Sequence, residues 1–165
     1  MQRVVSDSDV IIHLAKLNEL NIIRELYMCV HIPSYIELEM VRYQYDEVPI
    51  IEKTVRQGVL RVYETEDSKA RSIAGRYSIH IGEAHVKVLA EELHAEIFLS
   101  NERKVRIVAK SEGFSVVGTI GIVLRGVNRH YYTKEHAQEL LKNLKAGKFR
   151  IHPSITDRAI DSLEE

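Results

Sequence analysis

Short apolar runs alternate along this chain with longer stretches in which apolar residues recur every three or four positions. Short runs of this kind predict buried strands, and recurrence at helical spacing predicts amphipathic helices. The predicted strands cover residues 4–5, 30–32, 59–63, 97–99 and 115–117. The predicted helices cover residues 11–17, 20–26, 34–43, 48–57, 67–75, 82–93, 102–111, 120–128 and 134–145. Residues 59–63 alternate in polarity, as an edge strand does. Gly75 is expected to end one helix, and Thr133 to cap the last one.

Helices separate the predicted strands, which indicates right-handed β–α–β units and a mostly parallel sheet. Helices cover both faces of such a sheet, and this explains why its strands are nearly all apolar. The predicted fold class is therefore α/β. The length of 165 residues suits one domain, and the chain contains no linker, repeat or low-complexity segment. We expect a single domain over residues 1–165.

The composition is that of an ordinary globular protein, with 45% hydrophobic and 28% charged residues. The formal net charge of −1 gives no global attraction for nucleic acid, so such a partner would bind through a local patch or through metal ions. The single cysteine, Cys29, lies in an apolar stretch, which favours a buried and inert thiol. The chain shows no apolar signal region and no run near the roughly 18 apolar residues of a membrane span. We expect a cytoplasmic protein that does not enter a membrane.

Acidic and amide side chains follow two of the predicted strands. Asp7 comes directly after the first strand, and Asn101 and Glu102 come just after the fourth. In an open parallel sheet, ligands bind beyond the carboxyl ends of the strands. Two further carboxylates, Glu39 and Glu83, lie on predicted helices that could approach the same edge. These side chains are therefore the first candidates for a functional site.

Each carboxylate also has a purely structural interpretation. Asp7 could simply cap the first helix, and Glu39 could be a solvated surface residue. Glu83 lies in a first helical turn, where an acid complements the helix dipole. Their combination and their order along the chain are what favour a shared site.

The same order of segments occurs in a known family. The matching segments are residues 4–8, 11–20, 32–39, 82–84, 99–104, 113–123 and 147–151, and they extend over almost the whole chain. They include a strand followed by the first Asp, a helix that carries the second acid, and a Gly-Glu-Ala helix start that carries the third. The sequence thereby resembles the PIN domain family, and in particular its small prokaryotic VapC toxin-like branch.

This resemblance implies a three-layer α/β/α PIN-like fold and a metal-dependent endoribonuclease. Hard cations such as Mg²⁺ or Mn²⁺ prefer oxygen ligands, and a bound ion can polarise a phosphodiester and activate water. The resemblance implies that Asp7 is a direct metal ligand and that Glu39 and Glu83 are ligands or orient metal-bound water. Ser8 would support the site by hydrogen bonding. The expected partners are RNA, a small antitoxin protein and a second copy of the chain in a homodimer.

The fourth position departs from the family pattern, because Asn101 stands where the family usually has Asp. Asn101 stays among the catalytic and metal-ligand candidates, since its amide oxygen can bind a metal, but it removes one negative charge. Glu102 and Asp9 could restore that charge, with Glu102 as a further metal ligand. Two alternatives stay open: a catalytically weakened PIN-fold module that binds RNA or protein, and a PIN nuclease in RNA processing.

Basic, aromatic and histidine residues supply weaker candidates. Arg103, Lys104 and Arg106 could contact RNA phosphates, or they could form a solvated helix face. His80 and His85 suggest zinc, but a spacing of five does not place both rings on one helix face. A second basic stretch and two pairs of tyrosines could bind a partner or stack on bases, or could serve a surface or core role. These residues are Lys142, Lys145, Lys148, Arg150, Tyr43, Tyr45, Tyr131 and Tyr132.

Overall fold

The computed structural model describes residues 2–42, 46–147, 149 and 151–164. Within these ranges the strands are β1 (Val4–Ser6), β2 (Val30–Pro33), β3 (Leu60–Tyr63), β4 (Ile97–Leu99) and β5 (Ser115–Val117). The helices are α1 (Ser8–Lys16), α2 (Ile22–Tyr27), α3 (Ser34–Arg42), α4 (Val48–Arg56), α5 (Asp67–Tyr77), α6 (Ile81–Glu92), α7 (Arg103–Ser111), α8 (Thr119–Asn128), α9 (Lys134–Ala146) and α10 (Pro153–Glu164).

The five strands form one sheet in the order β3-β2-β1-β4-β5, and every described strand pair is parallel. Helices flank this sheet, so the predicted three-layer α/β/α fold is confirmed. The chain runs outward from β1 to β2 and β3, and then returns to place β4 on the other side of β1. The strand order therefore reverses between β1 and β4, which is where an α/β sheet opens a crevice for ligands.

The core lies around the two central strands. Val4, Val5 and Leu99 are completely buried, and Phe98 is 1% exposed. On α1, Ile11 is also completely buried. Burial on all sides explains why these strands are continuous apolar runs rather than alternating ones.

Most predicted elements are confirmed within one or two residues. β3 lies at the sheet edge, as its alternation indicates. Thr133 caps α9 by accepting a hydrogen bond from the backbone N–H of His136 at 3.1 Å. In the part of the chain that the structure describes, no helix combines the length and apolar character needed to span a bilayer.

Three helices differ from the prediction. α1 begins at Ser8, three residues earlier than expected, and the other two are α5 and α10. α5 was expected to end at Gly75 but continues to Tyr77, and Ser78 ends it in the left-handed conformation with φ of 53°. A glycine inside a helix costs only about 1 kcal/mol relative to alanine, so neighbouring packing can outweigh it. α10 was not predicted, although its buried residues Thr156, Ala159 and Leu163 recur at helical spacing.

The remaining predictions concern the single cysteine, two tyrosines and two basic residues. Cys29 is half-buried rather than buried, and its Sγ atom lies 3.9 Å from Nε2 of His31. Tyr43 and Tyr45, offered as stacking candidates, lie outside the described residues, as do Lys148 and Arg150.

Candidate metal centre

Five carboxylates line one cleft beyond the carboxyl end of β1, and we call it the acidic cleft. Its volume is about 540 Å³. Four separate parts of the chain supply the acids, namely α1 with its cap, α3, α6 and the segment after β4. The carboxylates are Asp7, Asp9, Glu39, Glu83 and Glu102. The structure thus brings together every acidic residue that the sequence analysis selected.

Asp7 lies at the base of the cleft and is only 4% exposed. Its backbone N–H donates to the carbonyl of Leu99 at 3.1 Å, which ties it to the end of β4. Its Oδ1 atom accepts a hydrogen bond from the backbone N–H of Val10 at 3.1 Å, so Asp7 also caps α1. The capping interpretation and the cleft interpretation therefore apply to the same side chain.

The environment of Asp7 opposes its negative charge. Burial raises the pKa of this carboxyl to about 7, and hydrogen bonds from Ser100 and Val10 only partly offset that effect. The nearby charges of Asp9 and Glu83 add a smaller rise in the pKa. Near neutral pH this group is therefore poised between its protonated and ionised forms.

Glu39 and Glu83 face the cleft from two helices in close contact. A Cβ atom placed on Gly82 of α6 would lie 3.2 Å from Oε2 of Glu39 on α3, so glycine permits this approach. Burial, followed by repulsion from Asp9, raises the pKa of Glu39 above its ordinary value. Closely spaced acids of this kind repel one another unless a cation or a proton intervenes.

Glu83 makes a capping hydrogen bond and also lines the acidic cleft. Its Oε2 atom accepts a hydrogen bond from the backbone N–H of His80 at 2.9 Å, at the start of α6. Burial raises the pKa of the Glu83 carboxyl, the His80 contacts oppose that rise, and repulsion from Glu102 and Asp9 adds to it. Glu83 is therefore a helix cap and a member of the acidic cleft.

Asn101 does not line the acidic cleft. Its Oδ1 atom accepts from the backbone N–H of Thr119 at 2.9 Å, and its Nδ2 atom donates to Oγ1 of Thr119 at 2.8 Å. Glu102, one residue later, does line the cleft, and its backbone N–H donates to Oγ of Ser100 at 3.1 Å. The acid that the structure places on this side of the cleft is therefore Glu102 rather than residue 101.

The three basic candidates beyond Glu102 differ in their surroundings. Arg103 is exposed. Lys104 is exposed and donates to the carbonyl of Ser78 at 3.0 Å. Arg106 is half-buried, and its Nη1 atom donates to the carbonyl of Ser100 at 2.9 Å. Arg106 therefore supports the end of β4, whereas Arg103 and Lys104 are exposed to solvent.

The two histidines of the zinc alternative lie in different environments. His80 lines the acidic cleft. His85 is 3% exposed, and its two ring nitrogens lie 2.7 Å from Oγ1 of Thr65 and 3.2 Å from Oδ1 of Asp67. Its ring also stacks on Tyr35 with a centroid distance of 4.6 Å. Through these contacts His85 joins α6 to Tyr35 of α3 and to Asp67 of α5.

The donor chemistry of the cleft fits a divalent cation such as Mg²⁺ or Mn²⁺. Its acidic side chains provide hard oxygen ligands. Burial chiefly raises the pKa values of Asp7, Glu39 and Glu83, and a cation would relieve the mutual repulsion that adds to this rise. Within the described ranges, however, no three His, Cys, Asp or Glu side chains are already gathered at metal-binding distances. An ion would therefore have to draw these carboxylates closer together.

The cleft also contains residues that the sequence analysis missed. His13 comes four residues after Asp9, and Lys16 comes three residues after His13. All three side chains therefore share one face of α1. That spacing was a usable signal. Phe149 comes from the segment after α9, and its ring meets the His13 ring edge-on at 4.7 Å. No local pattern could have placed it there.

Comparison with known proteins agrees with this geometry. A family model, DUF3368, described as a PIN domain, matches residues 3–165. No curated protein matches the chain. PIN domains are generally nucleases, and they generally use divalent metal ions. Because the match covers nearly the whole length, this chain belongs to the PIN domain family.

Proposed function

We propose that this protein is an endoribonuclease that cleaves RNA phosphodiesters with the aid of Mg²⁺ or Mn²⁺. The observation that supports this proposal most strongly is the acidic cleft, where five carboxylates from separate parts of the chain meet beside the strand-order reversal. Mutually repelling acids, one of them buried and four half-buried, destabilise a fold, so their presence favours a role in binding a cation.

The cleft residues divide this work among them. Asp7, Glu39, Glu83 and Glu102 would hold the cation, and Asp9 would add to the local negative charge. A bound divalent ion supplies Lewis-acid polarisation of the phosphodiester and a more acidic water. Burial keeps the Asp7 carboxylate away from bulk water. Water therefore screens its attraction for a cation only weakly once the proton has left.

Charge also explains why the cation is needed for RNA to enter. RNA is a polyanion, and the net charge of −1 together with the acidic cleft would repel it. A divalent ion neutralises two of the negative charges of the cleft and offers the phosphate oxygens a direct positive contact. Arg103, which lies exposed directly after Glu102, would then contact the neighbouring phosphate.

A second candidate is a PIN-fold binding module with weak or no turnover. Asp7 and Glu83 both serve as helix caps, and in the described part of the chain no three potential ligands are already at metal-binding distances. These observations favour a structural use of the same acids. The toxin role, the small antitoxin protein, the homodimer and a role in RNA processing all stay predictions.

A cleavage assay separates the two functions. The purified protein would be incubated with single-stranded and structured RNAs in Mn²⁺, in Mg²⁺ and in a chelator. Asp7→Asn removes the charge while preserving a good helix cap, and Asp157→Asn removes an exposed carboxylate that pairs with Lys145 on the surface. We expect cleavage by the natural protein and by Asp157→Asn in metal only. Cleavage that survives Asp7→Asn, or no cleavage by the natural protein, would contradict the proposal.

A further inference from the structure

The side chains of His13, Asn101 and Thr119 form a triangle at the edge of the acidic cleft, and Asn101 is its half-buried corner. Nδ1 of His13 lies 3.0 Å from Nδ2 of Asn101 and 3.2 Å from Oγ1 of Thr119. Thr119 is completely buried, and His13 is 6% exposed. The triangle connects α1, the end of β4 and the first residue of α8.

The hydrogen bonds within the triangle determine where the protons lie. The backbone N–H of Thr119 can only donate, so the atom of Asn101 that meets it at 2.9 Å must be the amide oxygen. The amide nitrogen therefore faces Nδ1 of His13 and Oγ1 of Thr119, and its two protons have two acceptors. A proton on Nδ1 would meet a donor at 3.0 Å. The contact with Asn101 therefore favours a bare Nδ1, which can also accept from the Thr119 hydroxyl, and a neutral His13 ring with its proton on Nε2.

The opposite edge of the His13 ring belongs to the cleft. His13 lines the acidic cleft, whereas Asn101 and Thr119 do not. In the described ranges no hydrogen bond joins Nε2 to a protein atom, and Nε2 is not among the buried polar atoms that lack a partner. Nε2–H is thus a donor that reaches the space of the cleft.

We propose that His13 is a ligand-binding residue of the acidic cleft and that Asn101 is its positioning residue. Asn101 holds the ring as the Nε2–H tautomer, and this N–H donates to a non-bridging phosphate oxygen of bound RNA. The donor role rests on the proposed function, while the tautomer rests on the triangle alone. Carboxylates can only accept hydrogen bonds from a ligand, so a neutral donor among them is suited to a phosphate oxygen.

The surroundings of His13 also keep the ring neutral. Burial lowers the pKa of His13, and the charge of Lys16 lowers it further, although the charge of Asp9 opposes both. The choice of Asn rather than Asp at residue 101 has a physical consequence for this ring. An Asp there would accept from Thr119 with one oxygen and from Nδ1–H of His13 with the other. The Nε2 atom would lose its proton or the ring would become charged.

Nitrogen NMR of the imidazole rings tests the tautomer without any assay of activity. Long-range proton–nitrogen spectra of the labelled protein would be recorded near neutral pH, with the His13 signals assigned by their loss in His13→Gln. We expect a bare Nδ1 and a protonated Nε2 in the natural protein, and a protonated Nδ1 in Asn101→Asp. A protonated Nδ1 in the natural protein, or an unchanged tautomer in a folded Asn101→Asp variant, would overturn the positioning role.

Titration with adenosine 5′-monophosphate in Mg²⁺ tests the donor role, because this probe has a phosphate but no phosphodiester to cleave. The Nε2–H signal of His13 should move more than that of His136, which lies in another cluster with Glu19. Affinity should fall about fivefold in His13→Gln, as expected for one neutral hydrogen bond. If amide signals around Asp7 and Glu83 move and that of Nε2–H does not, the donor role is wrong. If no cleft signal moves, both the donor role and the proposed function are wrong. The nitrogen spectra still decide the tautomer.

Discussion

The carboxylate of Glu39 packs directly against Gly82, with Oε2 3.2 Å from the position that a Cβ atom would occupy. Gly82 immediately precedes Glu83, so the same contact brings two acids of different helices to one cleft. A Cβ atom on residue 82 would also lie 3.2 Å from Cδ1 of Ile36, which makes the position tight on two sides. The closeness of α3 and α6 therefore depends on the absence of a side chain at this residue.

Gly82→Ala should disturb the metal site more than the fold. Alanine is favoured over glycine by about 1 kcal/mol inside a helix, and this gain offsets the displacement of Glu39 and Ile36. We predict a free energy of unfolding within about 1 kcal/mol of the natural protein and a Mn²⁺ affinity that falls several-fold. Calorimetric titration and denaturant unfolding measure the two effects.

The matched control is Gly75→Ala on α5, where a Cβ atom meets nothing within 4 Å. An equal loss of Mn²⁺ affinity in both variants would show that the Gly82 contact is irrelevant.

Asp7→Asn should stabilise the metal-free protein at high pH. The pKa of Asp7 is raised from 3.8 to about 7 by burial, so folding favours the protonated form. This favourable contribution is complete below the unfolded pKa and is lost as the pH rises through about 7. We predict that Asp7→Asn is more stable than the natural protein by a few kcal/mol at about pH 8 and differs little at about pH 4. Thermal unfolding in a chelator measures this, and a variant that is less stable at high pH would contradict the burial argument.

Stabilisation by metal should follow the opposite trend with pH. A proton on Asp7 competes with a divalent ion, so Mn²⁺ binds the folded protein more tightly as the pH rises through about 7. We predict that millimolar Mn²⁺ raises the melting temperature more at about pH 8 than at about pH 5.5. In Asp7→Asn the shift should be small at both values. A shift of equal size at both pH values in the natural protein would exclude Asp7 as a ligand.

The basic residues after Glu102 should separate into two kinds. Arg106→Gln removes a hydrogen bond from a half-buried guanidinium to the Ser100 carbonyl, so we predict a loss of about 1–3 kcal/mol in the free energy of unfolding. Arg103→Gln should leave stability unchanged and reduce the salt dependence of RNA binding by about one phosphate contact. The exposed Lys142 on α9 supplies the control, Lys142→Gln. Equal effects of Arg103→Gln and Lys142→Gln on RNA binding would remove Arg103 from the interface.

Much of the fold was readable from the sequence because buried parallel strands leave a strong local pattern. The apolar run at residues 97–99 and the helical spacing after Gly82 both correspond to elements in the structure. Local pattern failed where packing decides the outcome. Gly75 lies inside α5 for this reason. The spacing of Thr156, Ala159 and Leu163 on α10 was, by contrast, a usable helical signal.

The site was predictable to the extent that it follows strand ends. Asp7 comes directly after β1, Glu102 comes three residues after the end of β4, and the sheet topology places these two strands side by side. The orientation of Asn101 was not predictable, because it depends on the backbone N–H of Thr119, which only the folded chain brings near. The position of Phe149 was not predictable either, because only the folded chain brings its distant segment to the cleft.

Direct measurement of Mn²⁺ binding tests whether the acidic cleft is a metal centre. Free Mn²⁺ would be quantified by electron paramagnetic resonance while the ion is titrated into the natural protein, Asp7→Asn, Glu83→Gln and the surface control Asp157→Asn. We predict saturable binding by the natural protein and by Asp157→Asn, with affinity reduced about tenfold or more in the two cleft variants. Binding of equal strength in all four proteins, or no saturable binding in any of them, would contradict the assignment of the acidic cleft as a metal centre.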